Sequence, residues 1–259
     1  MSFYDELGEK YDSMIRWKTR LERETPFLQR LFGEKRINRV LDLACGTGHH
    51  SLMFRKWGCD VIAYDASQAL LDVARANVSD DDDGIQFVQG TFDELPVKVD
   101  GPLDAILCLG NSIPHLQSRE ELGQLFRDVF ALLKPGGVFV FQNRNYDRLL
   151  KTRERFLLPT THRSSGHEQL YFRFNDFEGD KVRFNIVHFR QVNEGWVHDV
   201  YSTELSPWIH NDLAAELKAA GFAANDFYGD FSGTPFDAET SPDIVGLARK
   251  PLAKANEDA

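Results

Sequence analysis

The sequence predicts an α/β fold: a doubly wound sheet of seven strands, with an antiparallel three-stranded β-sheet inserted late in the chain. Three observations predict it. From residue 38 to residue 143, short apolar runs alternate with amphipathic helical patterns, as in βαβ units feeding a parallel sheet. The first such run closes on a glycine-rich turn, "DLACGTG" (42–48). After residue 150 the pattern changes: residues 169–176, 181–193 and 196–204 alternate polar and apolar side chains, as antiparallel strands with one buried face do.

The elements follow in order. Over residues 3–33, Tyr4, Leu7, Tyr11, Met14 and Ile15, then Phe27, Leu28 and Leu31, recur at helical spacing. "RVLDLACGTG" (39–48) is a first strand and its turn, and "HHSLMFRKWG" (49–58) a helix closed by Gly58. "CDVIAYDAS" (59–67) is a second strand, and Ser67 suits the N-cap of "QALLDVARANV". Asp80–Asp83 reads as a solvated turn before a third strand at 85–90. A fourth strand spans 103–110, a helix 119–137 ended by Pro135-Gly136-Gly137, and a fifth strand 138–143. Residues 169–176, 181–193 and 196–204 form the antiparallel meander, turning at Gly179 and Gly195. A capped helix at 211–222 and two closing strands, "AANDFYGDF" and "DIVGLARKP", complete the chain, whose tail frays.

The expected organisation is one domain over 1–259, with a helical cap at 1–33 and a β insertion at 151–206 covering the active site. The 259 residues are 42% hydrophobic and 27% charged, enough for a sizeable core. A net charge of −10 argues against a nucleic-acid partner, whose phosphates demand a basic face. Cys45, Cys59 and Cys108 show no metal-ligand spacing and read as buried thiols in a reducing compartment. The N-terminus lacks the basic and apolar regions of a leader, and no apolar run reaches membrane-spanning length. A soluble cytoplasmic protein is expected, with no metal and no membrane partner; its state as monomer or homo-oligomer stays open.

The glycine loop carries the first functional signal. Asp42 precedes Gly46-x-Gly48 at a strand-to-helix junction, where the chain turns sharply and a ligand packs on the backbone. A dinucleotide fingerprint would place its third glycine at residue 51, which is Ser51, so a pyrophosphate cofactor is disfavoured. Asp65 ends the second strand, where a carboxylate can accept both hydroxyls of a ribose.

Together these residues resemble the Rossmann-like, class I methyltransferases that use S-adenosyl-L-methionine and release S-adenosyl-L-homocysteine. The resemblance implies that Ala44, Gly46 and Gly48 wall the methionyl part, and that Asp42 orders the loop or reaches the cofactor's amino group indirectly. It implies further that Asp65 and Ala66 meet the ribose, and Thr91 and Phe92 the edge and face of the adenine. Many members of that class carry an acid where this chain has Gly90.

Two strand ends are more specific: "LCLGNSIPHL" (107–116) and "NRNYDRLL" (143–150). In a doubly wound sheet, the carboxyl ends of the strands form the ligand crevice. Asn111, His115, Asn143 and Arg144 are therefore expected to converge near the reacting methyl group. Both strings, with "GDF" at 229–231, resemble the glycine N-methyltransferase family and its glycine-sarcosine and sarcosine-dimethylglycine relatives, which make betaine. The resemblance implies a small amino-acid acceptor, with Arg144 on its carboxylate and Asn111 on its amino end and beside the cofactor, next to Leu109. It implies that Arg20 meets the cofactor's carboxylate and that Tyr4 and Tyr11 cover the transfer zone. Mammalian members line their sulfonium pocket with tyrosines from the inserted sheet; here that region offers Phe184, Ile186, Val187 and Leu205.

The residues by themselves leave other readings open. Arg144 could pair with Asp147 or another acid and only close a strand. Asn111 could simply turn the chain after Gly110, and His115 could be a packing residue. The acceptor could be another small-molecule metabolite, or the chain could be a non-catalytic cofactor-binding protein.

Overall fold

The computed structural model describes residues 3–8, 10–78, 84–164, 167–193 and 195–253. The Asp80–Asp83 turn, and the chain end beyond residue 253, lie outside the described residues. The chain opens with two short helices, α1 (Phe3–Leu7) and α2 (Lys10–Met14), and a long one, α3 (Trp17–Lys35). Then follow β1 (Arg39–Leu43), α4 (His49–Lys56), β2 (Asp60–Asp65), α5 (Gln68–Ala76), β3 (Ile85–Gln89), α6 (Leu95–Lys98), β4 (Leu103–Cys108), α7 (Arg119–Leu132) and β5 (Leu133–Arg144). This is the alternation that the apolar runs predict.

These strands and the two closing ones, β10 (Ala224–Tyr228) and β11 (Asp243–Arg249), form one seven-stranded sheet. Its order is β3-β2-β1-β4-β5-β11-β10, with β11 antiparallel to both β5 and β10. Side-chain alternation divides the core between its faces. Val40, Val61, Val138 and Val140 pack on α3, α4 and α5, while Leu41, Ile62, Phe139 and Phe141 pack on α7. On α7, Leu122, Leu125, Phe126 and Val129 form the buried stripe at i, i+3, i+4 and i+7. Each such side chain stabilises by about 1.5–3 kcal/mol on full burial.

Two boundaries differ from expectation. α7 ends at Leu132, so Pro135-Gly136-Gly137 lies inside the start of β5 and does not cap the helix. The β4–β5 register shifts there, between Leu103 and Ala105. A Cβ on Gly137 would overlap the Lys134 carbonyl and press against those of Leu103 and Asp104, so the close backbone approach explains that glycine. The helix expected from residue 211, α9 (His210–Ala219), is capped from outside: Asp147 accepts from the His210 N–H at 2.8 Å. Ser67 caps α5 as expected.

The inserted sheet has four strands rather than three: β6 (Thr160–Ser164), β7 (His167–Glu178), β8 (Lys181–Val192) and β9 (Gly195–Leu205), in that order. β6 escaped the pattern because "TTHRS" has no apolar alternation; it is an edge strand held by backbone pairing to β7. One face of this sheet packs Tyr171, Ile186 and Tyr201 against Leu7 and Met14 of α1 and α2, with Tyr4 and Tyr11 alongside. A further helix, α8 (Tyr146–Thr152), follows β5, capped by Asn145, whose side chain accepts from Arg148 N–H. No helix among the described residues is long and apolar enough to cross a membrane.

Candidate active site

The glycine loop is built from alternating left-handed residues. Ala44, Gly46 and Gly48 have φ of 60°, 58° and 77°. Ala44 holds this conformation at a cost of about 1–2 kcal/mol that glycine would avoid. Asp65, at the end of β2, holds the loop: its carboxylate accepts from Gly46 N–H at 2.8 Å and from Ser67 N–H at 2.9 Å. Burial pushes the Asp65 carboxyl up to about 6, against those two bonds and with the charges of Asp42 and Asp5 adding to it. Asp42 is buried behind the loop, accepts from Ser51 Oγ, and is raised by the same desolvation.

A cavity of about 270 Å³ lies over this loop. Its wall takes in Ala44, Gly46, Asp65, Ala66, Thr91, Phe92 and Leu109, with Arg20, Tyr4 and Tyr11 from the N-terminal helices. Three residues expected with them lie elsewhere. Asp42 sits under the loop, and Gly48 packs on α5, where a Cβ would meet Ala74. Asn111, at a left-handed φ of 68°, stitches β4 to β5: its Oδ1 accepts from Arg144 N–H at 2.9 Å, and its Nδ2 donates to Tyr146 Oη at 3.1 Å. That side chain is held in place by the sequence's own "NRNYD" string.

Arg144 is half exposed, outside the cavity wall, with Nη1 3.8 Å from Asp243 Oδ1. Asp147 is occupied at α9, so Asp243 is the acid beside Arg144. Burial raises the Asp243 carboxyl, with Arg144 opposing. Strand alternation sends Asn143 to the Phe139 and Phe141 face, away from Arg144, so it does not converge with the others. His115 does: it lines the cavity with its Nε2 2.8 Å from Tyr4 Oη. Burial drops the His115 imidazole to about 4 and pushes the Tyr4 phenol well up.

Several wall residues were not legible in advance. Trp17 and His50 join the wall, and His50 Nε2 is 2.6 Å from the buried Glu24. Glu24 also accepts from Arg20 Nε at 2.9 Å. Burial pushes its carboxyl up, but the His50 bond and the Arg20 charge hold it at about 2. The signal was present in the i, i+4 spacing of Arg20 and Glu24 on α3. Asp12 of α2 likewise accepts from Thr47, Trp17 and His49, fastening the N-terminal helices to the glycine loop. The residue at 90 is glycine because Tyr64 fills the space: a Cβ there would overlap the Tyr64 hydroxyl, which donates to Thr91 O at 2.7 Å. Tyr171 and Tyr201 of the inserted sheet face α2 but lie outside the cavity, bound to Ser13 and Lys10. Phe184, Ile186 and Leu205 pack into the apolar clusters beneath the same sheet.

The donor set suits S-adenosylmethionine. Arg20 offers a cation for an amino-acid carboxylate, Asp65 an acceptor for ribose hydroxyls, and Phe92 and Leu109 apolar surface for a base. Among the described residues, no group of three or more His, Cys, Asp or Glu side chains is placed to hold a metal.

The fold and this site define a class I S-adenosylmethionine-dependent methyltransferase. Residues 40–137 match the family model described as "Methyltransferase domain". A crystal structure of an S-adenosylmethionine-dependent methyltransferase from Clostridium acetobutylicum shares the fold: TM-score 0.77 at 21% identity, over 96% of this chain and 100% of that one. The glycine/sarcosine N-methyltransferase of Parasynechococcus marenigrum is 34% identical over 149 residues, which span 58% of this chain and 53% of that protein. That of Aphanothece halophytica is 31% identical over 227 residues, 87% of this chain and 82% of that protein. The chain belongs to the glycine/sarcosine N-methyltransferase family.

Proposed function

We propose that this enzyme transfers methyl groups to the nitrogen of a small amino acid: glycine, sarcosine or dimethylglycine. The observation that carries this reading is Arg144. Its guanidinium is half exposed and 3.8 Å from Asp243, too far for a tight ion pair, so a carboxylate can engage its fork. Its backbone is tied through Asn111 to the strand end beside the cavity. Likeness to the Aphanothece relative over most of both chains supports the same acceptor class.

We propose that Arg20, Ala44, Gly46, Asp65, Ala66, Thr91, Phe92 and Leu109 hold the cofactor, with Asp42, Gly48 and Asn111 shaping the loop and strand end behind them. The N-terminal helices and the inserted sheet act as the cover. Bound S-adenosylmethionine supplies an already activated sulfonium methyl group. What the chain must add is alignment, which can contribute about 7–11 kcal/mol to a two-centre reaction. Tyr4, Tyr11 and His115 make a neutral wall at the transfer zone, since burial raises both phenols and lowers the imidazole. A neutral, desolvated wall favours the unprotonated amine, whose lone pair must be free to attack. A carboxylate there would favour the ammonium.

Incubation with methyl-labelled cofactor and each of the three amines tests this. Turnover of at least one is expected; no turnover of any would sink the reading.

A further inference from the structure

We infer that Arg173 of the inserted sheet is a second guanidinium of the acceptor subsite, acting with Arg144 on the acceptor carboxylate and setting selectivity for monocarboxylate amines. The inference rests on the amino-acid reading above and names the residue that enforces it.

Strand register places Arg173. Tyr171, Arg173 and Asn175 alternate onto one face of β7, opposite His188, Ile186 and Phe184 of β8. Tyr171, Ile186 and Phe184 of that face pack with α1 and α2, beside the cavity-lining Tyr4 and Tyr11. Arg173 is thus on the sheet face turned toward the transfer zone.

The guanidinium is anchored at one end. Its Nη2 donates to Thr160 Oγ1 at 2.9 Å and to Leu158 O at 3.3 Å. Its Nε is buried with no hydrogen-bond partner, and among the described residues no acid pairs with it. Burial pushes the guanidinium down, the Arg144 charge adds to that, and Tyr11 opposes it, so the two arginines and Tyr11 share one electrostatic neighbourhood. A partly buried cation without a counter-ion, next to another cation, is costly. Both neutral anchors leave that cost in place; an anion removes it.

Charge balance then limits the anion. Arg20 has Glu24 at 2.9 Å, and Arg144 has Asp243 at 3.8 Å. Of these three arginines, Arg173 is the one with no acid beside it among the described residues. A single carboxylate neutralises it and matches a planar guanidinium in shape. A dicarboxylate would leave a surplus negative charge, and an amine with no carboxylate would leave the cation unpaired.

The test uses the full chain in two arms. In the first, wild type, Arg173→Met and Arg173→Lys are compared for kinetics on glycine, sarcosine and dimethylglycine, and on glycinamide, which lacks the carboxylate. Cofactor binding is measured on each variant to confirm the fold. For Arg173→Met the expected result is a KM for the amino acid at least 10-fold higher, an unchanged cofactor Kd, and loss of the preference for glycine over glycinamide. Arg173→Lys should recover part of the loss, and added guanidinium ion should recover part of it in the Met variant. An unchanged KM and preference in a cofactor-binding Arg173→Met would overturn the inference; so would a lowered melting temperature as the only effect. In the second arm, acetate is titrated into the protein saturated with S-adenosylhomocysteine. Binding by wild type and loss of it in Arg173→Met is expected. Equal binding by both, or none by wild type, would overturn the anion subsite. Acetate binding through Arg173 without turnover of any amino acid would instead overturn the acceptor assignment alone.

Discussion

Tyr4 Oη and His115 Nε2 lie 2.8 Å apart, across 111 positions of sequence. Their rings meet edge to face at 5.3 Å. This contact joins the first helix to the turn at Ile113–His115 that follows the fourth strand, and both residues line the cavity. Removing the hydroxyl in Tyr4→Phe deletes one partly buried hydrogen bond, worth about 0.5–1.5 kcal/mol. The expected outcome is cofactor affinity lower by roughly 3- to 10-fold at unchanged overall fold, read by calorimetric titration and circular dichroism. Full wild-type affinity and turnover would remove this contact from the closing of the site.

His115 also predicts an acid limb of stability. Burial lowers its imidazole from an ordinary 6.5 to about 4. Below pH 6.5 the unfolded chain binds a proton there that the folded chain refuses. Stability is therefore full above pH 6.5 and falls as the pH drops toward 4, by on the order of 3 kcal/mol at most. Denaturant melts of wild type and His115→Asn between pH 7 and pH 4 check this, and the variant should lose less over that window. Parallel curves would show that His115 is not the group responsible.

Asp65 runs in the opposite direction. Its folded value, about 6, lies above the ordinary 3.8. Between those values the folded chain keeps a proton that the unfolded chain has lost, so this residue favours the fold at low pH and penalises it above pH 6. In the proposed ribose contact, the hydroxyls donate to the ionised form. Cofactor affinity should fall as pH drops below 6, approaching tenfold per unit, with proton release on binding near pH 6. Asp65→Asn should bind about 10- to 100-fold more weakly, since bonds to a charged group contribute about 1.5–3 kcal/mol, and without the pH dependence. Titrations in buffers of different ionisation enthalpy give both quantities; an unaltered pH dependence in the variant would contradict the ribose role.

Arg144 and Asp243 make a competing pair. Replacing the acid in Asp243→Asn frees the half-exposed guanidinium, and the acceptor KM should fall about 2- to 5-fold, the scale of an exposed ion pair. Arg144→Lys should raise the same KM at least tenfold while sparing cofactor affinity, because lysine cannot present the bidentate fork. Loss of cofactor and acceptor binding in equal measure would refute the carboxylate-anchor role.

The "NRNYD" string shows how far a sequence reading reaches. Its position at a strand end was legible, because an apolar run of β type preceded it. The division of labour within it was not. Arg144 faces Asp243, Asn145 caps α8, Tyr146 holds Asn111, and Asp147 caps α9 some sixty residues on. Asn145 finds its partner three residues on, but the other three tasks depend on partners that local pattern does not name. Asn143 shows the same limit from the other side, since one step along a strand reverses the face.

By itself the sequence determined the α/β alternation, the glycine loop with Asp65 across from it, the antiparallel character of the insertion, and the two strand ends that carry the family likeness. These are local: periodicity, turn chemistry and short strings specify them without reference to the rest of the chain. The tertiary structure alone decided that His115 meets Tyr4, that Glu24 backs Arg20 and His50, that Tyr64 requires Gly90, and that Arg173 lies opposite Ile186 on the sheet face it shares with Tyr171. Those pairings join segments brought together only by strand order and register, and side-chain packing across the sheet, not spacing along the chain, selects them.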